Sequence, residues 1–117
     1  MTTIAVYGSL KKGKYNHSIL EDQKFVGTTT VKGTLYRVSS YPALVEGGDT
    51  EYPSEVYEVE DEMYERIKRM ELGAGYKEVE VACNILETLE VVPAMVYYAD
   101  TLLAERCKEH YEVISEY

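Results

Sequence analysis

Strand-like segments outnumber helical ones in this chain of 117 residues, and the two kinds do not alternate regularly. A doubly wound parallel sheet needs a helix between successive strands, so the segment order points instead to an α+β fold, a small barrel or sheet with a few helices. Thr3–Tyr7 is a short β-prone run that Gly8 ends, as a strand does on entering a turn. Val26–Val38 is rich in Thr and Val but broken by Gly27 and Gly33, and reads as an interrupted strand. Tyr41-Pro42 and Gly47-Gly48-Asp49 predict a loop-rich middle, followed by a strand over Glu55–Glu60.

Two helices stand out, and a third short one is predicted over Tyr15–Asp22 with Ile19 and Leu20 inward. Asp61 is a candidate N-cap for a helix that runs to Glu71, in which Met63, Ile67 and Met70 form one apolar face. Gly73 and Gly75 stop it. Val79, Val81 and Cys83 alternate with polar or small residues as a half-buried strand does. Leu89–Ala99 is a further strand, in which Pro93 marks an edge or a bulge. Asp100 then caps a C-terminal helix with Leu103, Cys107, Tyr111 and Ile114 facing inward.

Composition narrows the function classes. With 12 basic against 21 acidic residues, a net charge of -9 argues against nucleic acid as a partner, because phosphate binding relies on clustered Lys and Arg. At 45% hydrophobic residues the chain can bury a core, and its length suits one domain over 1–117. Met1–Leu10 has neither the basic start nor the apolar run of a signal peptide, and no stretch is apolar enough for a membrane span. Cys83 and Cys107 read as two buried thiols in a reducing cytoplasm; a nucleophile paired with His17 or His110 is the sharper alternative. Tyr accounts for 12 of the 13 aromatic residues, which suits a wet cavity better than a dry core, since each ring carries a hydroxyl to satisfy.

Gly8-Ser9-Leu10-Lys11-Lys12-Gly13-Lys14 matches the first seven positions of a nucleotide-binding P-loop and follows a strand. The eighth position must carry a Ser or Thr hydroxyl for Mg²⁺, and Tyr15 stands there, so the motif fails. Glu46, Asp49 and Glu51 surround two glycines, but their spacing fits no calcium loop and reads as a solvated acidic stretch. No metal or cofactor is expected.

Tyr7-Gly8-Ser9-Leu10-Lys11, then Gly13 and Asn16-His17, resembles the substrate loop of the γ-glutamyl cyclotransferase superfamily, above all its γ-glutamylamine cyclotransferase branch. The resemblance continues through Tyr41-Pro42, Glu55-Val56-Tyr57, the helix ending in Glu71, Tyr76 and Ala94-Met95-Val96-Tyr97, covering residues 4 to about 98. It implies a small closed mixed β-barrel with flanking helices and a pocket at its mouth. It implies a monomer or small homo-oligomer acting on a small-molecule γ-glutamyl amide, which releases an amine and forms 5-oxoproline. The substrate's own α-amino group attacks its γ-carbonyl carbon, with no water, metal or ATP.

Such ring closure needs a neutral attacking amine and a protonated leaving amine, tasks that one carboxylate can perform in sequence. Fixed donors must also hold the glutamyl head in its bent conformer and stabilise the oxyanion. The resemblance assigns the first role to Glu71, whose place at a helix C-terminus beside Met70 and Leu72 predicts a raised pKa. It assigns the second to the turn Gly8-Ser9-Leu10, whose successive N–H groups can form an anion-binding concavity. Tyr7, Tyr41, Tyr76 and Tyr97 are candidates for the pocket wall, each otherwise a core or rim ring. His17 either orients the loop or bonds locally to the backbone, and Glu55 is the competing carboxylate, with a structurally paired role as its other reading.

The sequence departs from the family pattern around the acid. Where the family has Asp three residues before its Glu and Gly after it, this chain has Lys68 and Leu72, and Glu78 replaces an Arg two residues beyond Tyr76. These changes leave two alternatives open: a different leaving amine, cationic ones being favoured by the acidic surface, or a non-catalytic domain that binds a small molecule or γ-glutamyl peptide on the same scaffold.

Overall fold

Two neighbouring strands account for much of the architecture, because the sequence between residues 24 and 59 folds back on itself as one long hairpin. The computed structural model describes residues 1–8, 10–14 and 17–117. Its first strand, β1 (Thr2–Val6), leads to the turn at Gly8, and β2 (Lys24–Val38) then pairs antiparallel with β3 (Tyr41–Val59) along nearly their whole length. Helix α1 (Asp61–Gly73) follows, then β4 (Tyr76–Asn84), β5 (Val91–Ala99), α2 (Thr101–His110) and the short β6 (Glu112–Val113).

The six strands form one mixed sheet in the order β4-β5-β1-β3-β2-β6. Among the described residues only β1 and β5 run parallel, meeting at Ile4 and Met95. The sheet curls into a half-barrel, an α+β architecture as expected. Its far sides approach where Thr29 Oγ1 donates to the Asn84 carbonyl (2.7 Å) and the Leu86 N–H donates to the Thr28 carbonyl (2.9 Å).

Period-two alternation sorts the core into layers. Inside the curl, Ala5, Tyr7, Val31, Leu35, Leu44, Tyr52, Val56 and Val96 pack together. On the opposite face Ile4, Val6, Tyr57, Val59 and Tyr97 meet Ile67 of α1. Leu103 and Cys107 of α2 cover Ala43, Val45 and Ala99. Burying both faces of β1 and β5 explains why these two strands read as nearly unbroken apolar runs.

Several boundaries differ from the sequence reading. The loop-rich middle is in fact the body of β3, and its glycines sit in a bulge. The β2–β3 register jumps from Gly33↔Thr50 to Thr34↔Val45, leaving residues 46–49 outside the ladder. A Cβ on Gly48 would lie 2.7 Å from the Gly33 carbonyl carbon, so the bend requires a bare backbone. The helix predicted over Tyr15–Asp22 is a single 3-10 turn at His17–Leu20; Tyr15 and Asn16 lie outside the described residues.

Glu60, not Asp61, occupies the N-cap of α1. The face predicted from Met63, Ile67 and Met70 divides: Ile67 is fully buried, Met63 packs beside it, and Met70 turns toward a pocket. Asp100 caps α2 as expected, accepting the Leu103 N–H at 2.8 Å. That helix stops at His110, however, and the residues after it turn back to pair with β2 at Tyr36 and Arg37. Strand β5 begins at Val91, and Pro93 lies in its first half, before β5 reaches β1.

Among the described residues no helix is long and apolar enough to cross a membrane.

Candidate functional site

The residue after β1 begins the site. Tyr7 continues the strand's inward alternation, and its buried hydroxyl donates to the Tyr97 carbonyl (2.6 Å) while accepting the Leu44 N–H (3.2 Å). Gly8 then passes so close to Pro42 that a Cβ would lie 2.9 Å from the proline Cγ. The chain reverses through a hydrogen bond from the Lys11 N–H to the Gly8 carbonyl (3.0 Å). Only glycine lets the turn lie against the start of β3 in this way.

Two side chains hold the loop from outside. His17 Nδ1 lies 2.9 Å from the Leu10 carbonyl oxygen, a local backbone contact. Glu55 Oε1 accepts the Lys12 N–H (2.8 Å) and the Tyr57 hydroxyl (2.9 Å). Glu55 is therefore the structurally paired carboxylate of the two candidates.

The turn, the last turn of α1, the start of β3 and residues from β4, β5 and α2 enclose a pocket of about 290 Å³. Tyr7, Gly8, Leu10, Tyr41, Tyr76, Tyr97 and Glu71 all line it. Ser9, also predicted to touch substrate, lies outside the described residues. Val38, Pro42, Met70, Ala74 and Leu103 complete much of the wall; the sequence marks Pro42, Met70 and Leu103 for other reasons and assigns none of the five to the pocket. Met70 adjoins the acid in the chain and Ala74 lies three residues beyond it, a local signal that could have placed both beside it.

The tyrosines form walls, with most of their hydroxyls already engaged. Tyr76 donates to the Pro42 carbonyl (2.7 Å), fixing β3 to the pocket, and Tyr97 donates to Glu78 Oε2 (3.0 Å). Tyr41 stands at the rim, 46% exposed. Burial raises the pKa of Tyr7, Tyr76 and Tyr97, and the nearby Glu71 charge pushes each further the same way, so all three remain phenols.

Glu71 is the carboxylate in this wall. Burial raises its pKa to about 7, so desolvation supplies the shift expected from its setting. A carboxyl group that titrates there is populated in both forms near neutrality, the condition for accepting and then returning a proton. Among the described residues, the pocket wall around it is made of apolar side chains and phenols.

The departures named at positions 68 and 78 meet in space. Lys68 Nζ lies 4.0 Å from Glu78 Oε1, so the basic residue on α1 faces the acidic one on β4. Glu78 also receives the Tyr64 hydroxyl (2.5 Å). Leu72, the third departure, is 46% exposed.

Cys83 and Cys107 are both buried free thiols, and burial raises their pKa values, the opposite of an activated nucleophile. Of the acidic stretch, Glu46 in the bulge pairs with Lys77, and Glu51, within the ladder, accepts the Thr30 hydroxyl. Among the described residues no three His, Cys, Asp or Glu side chains gather as a cation site.

Comparison with known proteins adds to this geometry. The sequence profile of the family described as "Gamma-glutamyl cyclotransferase, AIG2-like" matches residues 4–116. A Pyrococcus horikoshii relative, provisionally named as a gamma-glutamylcyclotransferase, is 43% identical over 79 residues, covering 68% of this chain and 67% of its own. A Methanocaldococcus jannaschii relative, also provisionally so named, is 33% identical over 102 residues and 84% of each chain. Among solved structures, a mouse AIG2-like protein superposes with a TM-score of 0.80 over 100% of this chain and 88% of its own; at 24% identity this likeness concerns the fold.

Proposed function

The chain belongs to the γ-glutamyl cyclotransferase, AIG2-like family, and on that footing we propose that it releases an amine from a γ-glutamyl amide and forms 5-oxoproline. The observation that carries this reading is the position of Glu71: a carboxyl group titrating at about 7 in the same pocket as the Gly8–Leu10 turn.

The steps follow from the chemistry of ring closure. Glu71 as carboxylate takes a proton from the substrate's α-ammonium group, and the freed nitrogen attacks the γ-carbonyl carbon. Main-chain N–H groups of the Gly8–Leu10 turn receive the developing oxyanion. The new C–N bond closes the five-membered lactam. The bond to the leaving nitrogen then breaks as Glu71 returns that proton to it, and the second proton of the ring nitrogen follows through the same carboxylate, so that the amine departs as its ammonium ion. Atoms balance without added water. The enzyme's main contribution is to hold the glutamyl arm bent, since attack within one molecule already has a high effective concentration. Tyr7, Tyr76 and Tyr97 form rigid walls for that arm.

Val38, Met70, Ala74 and Leu103 give the rest of the pocket an apolar lining. Such a surface suits the methylene chain of an alkyl amine better than a bare charged head, so the acidic character of the whole chain is a poor guide to this cavity. A panel of γ-glutamyl amides of alkyl amines, and of the lysine side-chain amine, assayed for 5-oxoproline, tests the proposal. Equal amounts of 5-oxoproline and free amine support it. Tight binding without turnover across the panel would instead indicate a binding domain.

A further inference from the structure

Outside the pocket, one polar cluster joins the elements that build it. Glu78 is on β4, two residues beyond Tyr76 and hence on the same face of the strand, and it pairs across the ladder with Tyr97 of β5. Its Oε2 accepts the Tyr97 hydroxyl (3.0 Å) and the Tyr64 hydroxyl (2.5 Å), and its Oε1 faces Lys68 Nζ at 4.0 Å. The Glu78 side chain is only 17% exposed.

The spacing of the α1 partners is informative. Tyr64, Lys68 and Glu71 stand at i, i+4 and i+7, one stripe along the helix. Two members of the stripe converge on Glu78, and the third lines the pocket. The rotation of α1 about its axis, which decides where Glu71 points, is thus fixed one turn away from the acid. The same carboxylate holds Tyr97, a pocket wall whose main-chain carbonyl accepts the Tyr7 hydroxyl.

We infer that Glu78 is a positioning residue for Glu71: it clamps the Tyr64–Lys68 face of α1 to Tyr97 and so sets both the acid and the wall opposite it. This inference rests on the reading of Glu71 as the acid/base. A purely structural ion pair would affect stability alone. A clamp also governs how far water reaches the Glu71 carboxyl group, whose raised pKa comes from burial, in a setting shared with the Tyr7, Tyr76 and Tyr97 phenols.

The test combines turnover with an NMR titration of the Glu71 carboxyl carbon in the full chain. In Glu78→Ala the Glu71 midpoint should fall from about 7 toward the ordinary carboxylate range, by about one unit. For a γ-glutamyl amide, kcat should drop about tenfold with little change in KM, the mark of a misplaced reacting group. Glu78→Gln keeps an acceptor oxygen for the phenols and should restore most of both quantities. In the Glu71→Gln background, Glu78→Ala should cost nothing further, since its effect passes through the acid.

An unchanged Glu71 midpoint in folded Glu78→Ala, or a loss confined to KM, overturns the inference. Should Glu78→Ala not fold, Tyr64→Phe removes one arm of the clamp and should lower the midpoint by a smaller amount; no movement there is equally contrary. If the wild-type protein turns over no γ-glutamyl amide, the assigned reaction fails while the titration still decides the role of Glu78.

Discussion

The Tyr7 hydroxyl donates a 2.6 Å hydrogen bond to the main-chain carbonyl of Tyr97, linking the end of β1 to β5 across 90 positions of sequence. The same oxygen accepts the Leu44 N–H, so one buried phenol secures three strands beneath the pocket floor. Tyr7→Phe keeps the ring and leaves a carbonyl and an amide without this partner. Chemical denaturation should show a loss of about 2 kcal/mol, as for other buried groups left unpaired. An unchanged midpoint would mean that water replaces the hydroxyl without cost.

The acid itself should destabilise the fold at high pH. Its pKa is about 7 in the folded chain, against an ordinary carboxylate value of 4.5, so the folded state binds this proton more tightly than the unfolded one. The corresponding stability is fully present below about 4.5 and is lost as pH rises through about 7. Its size is about 3 kcal/mol. Urea denaturation of Glu71→Gln and wild type should therefore agree near the acid end of that window, and the variant should be the more stable at pH 8. The same difference at both ends would remove burial as the source of the shift.

Turnover should depend on the same proton. If Glu71 begins the reaction as a base, kcat/KM for a γ-glutamyl amide rises with pH and levels off with an acid-limb midpoint near 7. A midpoint in the ordinary carboxylate range would assign the limb to another group.

Glu55 offers a contrast between carboxylates. It accepts the Lys12 N–H and the Tyr57 hydroxyl and so anchors the loop from behind. Glu55→Ala should loosen the turn proposed to grip the glutamyl head, raising KM several-fold and affecting kcat less, as expected when positioning contacts are lost. Loss of kcat as severe as that of Glu71→Gln would reverse the assignment of the two residues.

The sequence revealed some of this through local chemistry. The Gly8 turn, the Asp100 cap and the inward Leu103 and Cys107 all follow from short-range rules about backbone freedom, capping and periodicity. The body of β3 was hidden because Pro42, Gly47 and Gly48 look like chain breakers. Their effect depends on β2, whose pairing carries the strand past them and turns the glycines into a bend. The Glu71 position was legible through resemblance to a family, since among 21 acidic residues nothing local distinguishes it. Lys68 and Glu78 looked like two unrelated departures. Only the packing of α1 on β4 shows that they face each other.

In the proposed reaction the Glu71 carboxyl group moves the proton between the two nitrogens. The direct measurement is 5-oxoproline formation from a γ-glutamyl alkylamide by wild type and by Glu71→Gln, both checked for native folding and for substrate binding by calorimetry. The variant should bind with similar affinity and form product at least about a hundredfold more slowly. Product formation by Glu71→Gln at close to the wild-type rate would contradict this role.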